Sequence, residues 1–311
     1  MTMVQKRPWR TISITALVLV LGLFCVPRTS VGQENSDVRP LAGTGFIGFD
    51  YGPFRRDESP ALNKYPAADN MREDLAILAT FTKTIRTYSV TNGLEAIPQL
   101  AERFGISVVI GAWLSGNPVL DQREINSAIR LCRENENVIL TVLGSEAILR
   151  FESRQRQGLA PPRLIEHIEN AKNKAGCRIT TAEPWHVWMD HPELAHAADL
   201  IFVNIHPYWE GVPVESAAEF VVEKIEELER KYPGKRIVGS ETGWPNAGLR
   251  NEQSIPSLVN QKRFLQEVES ALRRRRVDAF FFEAFDETWK SNEPRGVGPH
   301  WGIYTVDRIR K

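Results

Sequence analysis

Short apolar runs alternate with amphipathic stretches along almost the whole chain, and that alternation leaves few folds open. Runs at 45–50, 83–88, 106–112, 138–143, 177–182, 198–205, 236–240 and 277–282 each have the length of a strand. Ile106-Ser-Val-Val-Ile-Gly-Ala112 is apolar nearly throughout, as a strand covered on both faces should be. Between the runs, 70–81, 93–104, 121–134, 162–174, 215–232 and 256–275 carry apolar residues at helical spacing; Ile125, Ala128, Ile129 and Cys132, for example, share one face. Eight such units in succession, with no internal repeat and no change of composition, predict an α/β fold, a single (β/α)8 TIM barrel over 43–311, preceded by a polar linker over 33–42. A chain of 311 residues is long enough for a barrel of this kind.

The N-terminus follows different rules. Lys6, Arg7 and Arg10 precede an apolar run from Ile12 to Val26, and Ser30-Val31-Gly32 then places small residues where an export peptidase cuts. Residues 1–32 therefore read as a signal peptide, with an uncleaved N-terminal membrane anchor as the alternative, and a secreted or periplasmic location is expected. Cleavage would leave 35 basic against 39 acidic side chains, a net charge of −4, which gives no reason to expect nucleic acid as a partner and suits a neutral ligand. Of the three cysteines, Cys132 and Cys177 would survive cleavage. Two are too few for a disulfide framework and wrongly spaced for a metal site, so both are expected to act as small buried hydrophobes.

In a barrel of this kind the C-terminal strand ends form the active face. Polar and aromatic residues collect there: Asp50, Tyr51, Arg86, Tyr88, Trp113, Glu146, Trp185, His206, Tyr208, Glu241, Trp244, Glu283, Asp286 and Trp289. Glu241 closes the run Ile237-Val-Gly-Ser and enters a Gly-Trp-Pro turn that can continue neither as strand nor as helix. Trp244 beside it would offer an apolar platform to a pyranose face. Glu146 occupies the corresponding place after strand four. Two carboxyl groups on one barrel mouth suffice for glycosidic bond cleavage without metal or cofactor, one protonating the leaving oxygen and the other attacking the anomeric carbon.

Val238-Gly-Ser-Glu-Thr-Gly-Trp-Pro245 and Val142-Leu-Gly-Ser-Glu146 resemble the nucleophile and acid/base motifs of glycoside hydrolase family 17, the β-1,3-glucanase and glucanosyltransferase family, in its bacterial and fungal branch. Ile85-Arg-Thr-Tyr88, Asn204-Ile-His-Pro-Tyr208, Phe282-Glu-Ala-Phe-Asp-Glu-Thr-Trp-Lys290 and His300-Trp-Gly302 are similar to it as well, so that the resemblance covers nearly everything after residue 43. It implies Glu241 as nucleophile, Glu146 as acid/base, and Glu287 and Lys290 as polar sugar-binding groups. With the strand-end residues Tyr51, Arg86, Tyr88, Trp113, Ser145, His206, Tyr208, Trp244, Glu283, Asp286 and Trp289 these make up the expected substrate site. The chain departs from the pattern twice. Ser145 stands where the family has Asn, a shorter donor that favours slower hydrolysis or transfer, and Val297-Gly298-Pro299 replaces a Glu before the Trp-Gly pair.

The resulting expectation is a monomeric retaining glycosidase acting on β-1,3-glucan. A glucanosyltransferase with the same intermediate and a non-catalytic carbohydrate-binding barrel are the alternatives. A retaining site calls for carboxyl groups about 5 to 5.5 Å apart. The Glu146 carboxyl should be pushed up by ionised Glu241, and Tyr208 or His206 should approach Glu241.

Overall fold

The computed structural model describes residues 45–153 and 157–311, so the leader or anchor at 1–32 and the linker at 33–42 lie outside the described residues. Strands and helices alternate from β1 (Ile47–Asp50) through α1 (Ala68–Leu78), β2 (Thr84–Arg86), α2 (Ile97–Glu102), β3 (Ser107–Ala112), α3 (Pro118–Glu134) and β4 (Val138–Ser145). They continue with α4 (Ala147–Glu152), α5 (Pro161–Ala175), β5 (Ile179–Pro184), α6 (Trp185–Asp190), α7 (Pro192–Ala197) and β6 (Ile201–Asn204). The last elements are α8 (Val214–Lys231), β7 (Ile237–Thr242), α9 (Leu258–Arg275) and β8 (Ala279–Phe281), followed by short 3-10 turns. The strands pair in parallel in sequence order and β8 closes on β1, which is the (β/α)8 barrel the alternation predicts.

Period-2 alternation sorts the strand residues into two cores. Val109, Leu140, Val142, Ala182, Phe202, Val238 and Phe280 fill the barrel interior, while their strand neighbours pack outward against the helices. Gly48 belongs to the interior design: a Cβ there would stand 2.6 Å from the Phe280 ring, so glycine makes room for that ring.

Local chemistry explains two of the boundary differences. Helix α3 starts three residues before the expected position because the Asn117 side chain accepts from Val119 N and Leu120 N, with Pro118 in the first turn. Strand β5 runs on to Pro184 because Glu183 and Pro184 pair with Val203 and Asn204 of β6. The short helices α4, α6 and α7 were not expected; each has six residues, too few for a helical period to stand out.

The cysteines are a correction. Cys132, near the end of α3, is bonded to Cys177, just ahead of β5, across 45 residues. The count excluded a framework but not one bond, and helix packing around the barrel brings the two sulfurs together. A loop of that length predicts stabilisation of roughly 4 kcal/mol from reduced unfolded-state entropy. Reductant should therefore lower the urea midpoint of the intact protein and leave a Cys132→Ala, Cys177→Ala variant unmoved. Equal midpoints with and without reductant would show that the bond contributes nothing.

Candidate active site

Both glutamates sit where the strand ladder slips. The register of β4 against β5 shifts between Val142 and Ser145, and that of β7 against β6 shifts so that Gly239 and Glu241 face consecutive residues of β6. A slip of this kind re-aims side chains beside a site. On β7 it lets Ser240 and Glu241 both reach groups inside the barrel mouth. Glu146 follows β4 in the left-handed region at φ 53°, a conformation costing a non-glycine residue roughly 1 kcal/mol. It is held there by its N–H donating to Ala182 O (2.7 Å) and its own carbonyl accepting from Arg150 N (2.9 Å). Buried Glu183 of β5 secures the next turn, accepting from Ile148 N and Leu149 N.

Arg86 joins the two halves. Its Nη1 donates to Glu241 Oε1 at 2.5 Å and to Ser240 O at 3.2 Å, while Nη2 donates to Ser145 Oγ at 3.0 Å, next to Glu146. Asp50 lies 3.4 Å from Nη1. Glu241 accepts further from the Tyr88 hydroxyl (3.2 Å) on Oε1, and His206 Nε2 stands 3.3 Å from Oε2. Asn204, at an inward position of β6, donates from Nδ2 to Glu146 Oε1 at 2.9 Å and accepts on Oδ1 from Ser240 Oγ at 2.5 Å.

These surroundings push the two carboxyls apart. Burial alone would raise Glu241, but the Arg86 charge and the His206 contact outweigh it and hold the carboxyl at about 2. Glu146 moves upward, through burial first and then repulsion from Glu241, with the Asn204 hydrogen bond opposing. One group thus favours the anion and the other favours keeping its proton, the division of labour a two-carboxyl site needs.

A second polar cluster adjoins the first. Lys290 Nζ contacts Glu283 Oε2 at 2.6 Å and Glu287 Oε2 at 2.7 Å, and Trp289 Nε1 donates to Glu287 Oε1 at 3.1 Å. Burial pushes Glu283 well up despite Lys290, and does the same to Asp50 despite Arg86. Trp113, 41% exposed after β3, is stacked by the Arg150 guanidinium 4.2 Å from the ring centre, and Arg150 also donates to Leu114 O and Ser145 O.

The structure thus gathers Arg86, Tyr88, Ser145 and His206 around the glutamate pair, with Glu283, Glu287, Trp289 and Lys290 alongside and Trp113 near Ser145. Four other expected binding residues are engaged elsewhere. Trp244 is only 1% exposed, packs on Tyr208 and Phe264 and donates to Ile255 O, so its indole supports the loop from below instead of facing a sugar. Tyr208 is fully buried and donates to Leu249 O, leaving His206 as the strand-six residue at Glu241. Tyr51 donates to Asp74 Oδ2, and Asp286 binds Lys311 and Gly302 N. Asn204, Ser240 and Glu183 were missed as site residues. Asn204 was findable, since alternation with interior Phe202 points it inward at a strand's end.

Among the described residues no group of His, Cys, Asp or Glu is placed to hold a metal ion. Residues 48–302 match the BtgE/BtgC glycoside hydrolase domain. A probable β-glucosidase btgE of Aspergillus fumigatus is 30% identical over 85% of this chain and 46% of its own length. A probable glucan endo-1,3-β-glucosidase btgC of Aspergillus flavus is 24% identical over 90% of this chain and 45% of its own, so the chain spans about half the length of these curated relatives. Among solved structures, a glycoside hydrolase family 17 β-1,3-glucanosyltransferase from Rhizomucor miehei superposes with a TM-score of 0.74 at 27% identity, covering 86% of this chain and 96% of that one. An active-site mutant of the Rhizomucor miehei enzyme has been solved with laminaritriose, with the same TM-score and coverage.

Arg86→Met tests the central ion pair, because it leaves Glu241 buried without its cation. Removing one partner of a buried pair predicts a loss of about 3–5 kcal/mol at neutral pH, read from urea unfolding. Since Glu241 lies below the ordinary carboxyl value of 4.5, at about 2, its contribution is complete above 4.5 and fades as pH falls toward 2. The gap between variant and parent should shrink over that window. A loss under about 1 kcal/mol would mean the mouth does not depend on this pair.

Proposed function

Because the chain belongs to the BtgE/BtgC glycoside hydrolase family, we propose that it is a retaining, family-17-type glycosidase that cleaves β-1,3-linked glucan through a covalent glucosyl-enzyme. The observation carrying this is the opposite bias of two carboxyls on one mouth: Glu241 held ionised by Arg86, and Glu146 biased toward its proton by burial and by Glu241. Glu241 attacks the anomeric carbon while Glu146 gives its proton to the departing glycosidic oxygen. Glu146, now a base, takes a proton from water or from a sugar hydroxyl, whose oxygen displaces Glu241 and completes the turnover. The reading requires a carboxyl separation of about 5 to 5.5 Å.

Transfer to a second sugar competes with hydrolysis in this mechanism. Two observations favour it as the second reading. Ser145 accepts from Arg86 where the family pattern has an Asn, and the Rhizomucor miehei relative, matched over 96% of its length, is described as a glucanosyltransferase. A non-catalytic binding barrel is disfavoured, since mere binding gives no reason to hold one carboxyl ionised and bias its partner toward the proton. Export from the cytoplasm is part of the proposal, supported by the signal-like first 32 residues and by the Cys132–Cys177 bond, which suits an oxidising compartment.

Glu241→Ala should abolish turnover of a laminari-oligosaccharide, and azide should restore cleavage of an activated β-glucoside with inverted product. Full activity in the variant would remove Glu241 from the mechanism. For Glu146→Ala, activity on glucan should fall by about 100-fold or more while aryl glucosides with good leaving groups lose far less, because only a poor leaving group needs the proton. Equal losses on both substrates would refute the acid/base role. The product profile of a defined β-1,3-gluco-oligosaccharide separates hydrolysis, which gives shorter products only, from transfer, which also gives longer ones.

A further inference from the structure

We propose that Asn204, locked by Ser240, is a positioning residue for the Glu146 carboxyl, fixing its orientation and stabilising its ionised form in the half of the cycle where Glu146 acts as base. The inference rests on Glu146 being the acid/base. Asn204 is buried at an inward position of β6, between the two strands that carry the glutamates in the reaction above. The short Ser240 contact has the length of an O–H···O bond, which sets the way the Asn204 amide faces. The Ser240 hydroxyl donates to Oδ1 at 2.5 Å, so Nδ2 faces Glu146 Oε1 at 2.9 Å. An amide N–H gives more to a carboxylate than to a carboxylic acid, and this contact therefore favours release of the Glu146 proton.

The other groups around Glu146 set the balance that Asn204 adjusts. Glu241 on β7 repels the Glu146 anion, as does Glu183 on β5, while Arg150 on α4 and His206 after β6 attract it. Arg86 of β2 is committed to Glu241 and to Ser145 Oγ. When Glu241 is tied up as an ester in the intermediate its charge is gone, and the largest repulsion on Glu146 goes with it. The Asn204 contact remains, so the same carboxyl changes from acid to base without any rearrangement. Asn204 acts through Glu146, to which its Nδ2 donates.

Asn204→Asp, Asn204→Ala and Ser240→Ala test the assignment through the pH dependence of kcat/KM on a β-1,3-gluco-oligosaccharide, each variant checked by circular dichroism. Without the donor, the alkaline limb should move to higher pH, by about half a unit to one unit in Asn204→Ala. It should move further in the isosteric Asn204→Asp, where a like charge faces Glu146, and in the same direction but less in Ser240→Ala, where the amide loses its lock. An alkaline limb unmoved in folded Asn204→Asp and Ser240→Ala would overturn the assignment. A uniform drop in kcat/KM at every pH would do the same, since it marks a structural role only. The underlying reading is tested apart, on an activated aryl glucoside with Glu146→Ala. Disappearance of the alkaline limb there upholds Glu146 as the titrating group, and its persistence overturns that reading whatever Asn204 does.

Discussion

A single buried guanidinium holds this mouth together. Arg86 reaches the ends of β1, β4 and β7 at once, through Asp50, Ser145 Oγ, Ser240 O and Glu241, and lies 5.2 Å above the Phe202 ring that tops the barrel interior. Taking such an ion out of water costs several kcal/mol, which the acceptors on Nη1 and Nη2, two of them carboxyl groups, offset here. The planar fork of arginine can serve several at fixed angles, where the ammonium of lysine could not. The barrel seats a charge on its hydrophobic plug, and that charge decides which of two glutamates stays ionised.

Two backbone irregularities make this possible. In an unbroken ladder, Ser240 and Glu241 would point to opposite sides of the sheet, and only one could serve the site. The slip on β7 lets Ser240 organise Asn204 while Glu241 meets Arg86, and the slip on β4 precedes Glu146 in its left-handed conformation. The structure carries this strain where the proposed mechanism places its chemistry, as functional sites commonly do. It is held by Ala182, Arg150 and Glu183, none of which needs to meet a substrate.

The architecture was legible because it rests on periodicity, which acts over many residues and is insensitive to detail. Eight apolar runs at strand length permit little but a barrel, and the two glutamates follow from their position at strand ends. Binding residues were less legible because position at a strand end does not say which way a side chain turns. Trp244 follows Glu241 by three residues and Tyr208 follows the neighbouring strand β6, yet both turn into packing with Phe264 and Trp301, while Asp286 is drawn off by Lys311, a partner 25 residues away. Asn204 stood within a motif but was not counted as a site residue, because its partners Ser240 and Glu146 are both distant in sequence. The cysteine pair was misread because the test applied was one of number, whereas a lone bond depends only on two positions meeting around the barrel wall.

That bond has a topological consequence. Cys132 and Cys177 enclose β4, α4 and α5, so the strand leading to Glu146 lies within a covalent ring. A protease that cuts the backbone once inside the ring opens it without separating the pieces, because the fragment carrying Glu146 stays tethered to the remainder through sulfur. A nick in that part of the barrel therefore leaves the molecule whole in composition, and its two halves stay at the high local concentration that favours their reassembly.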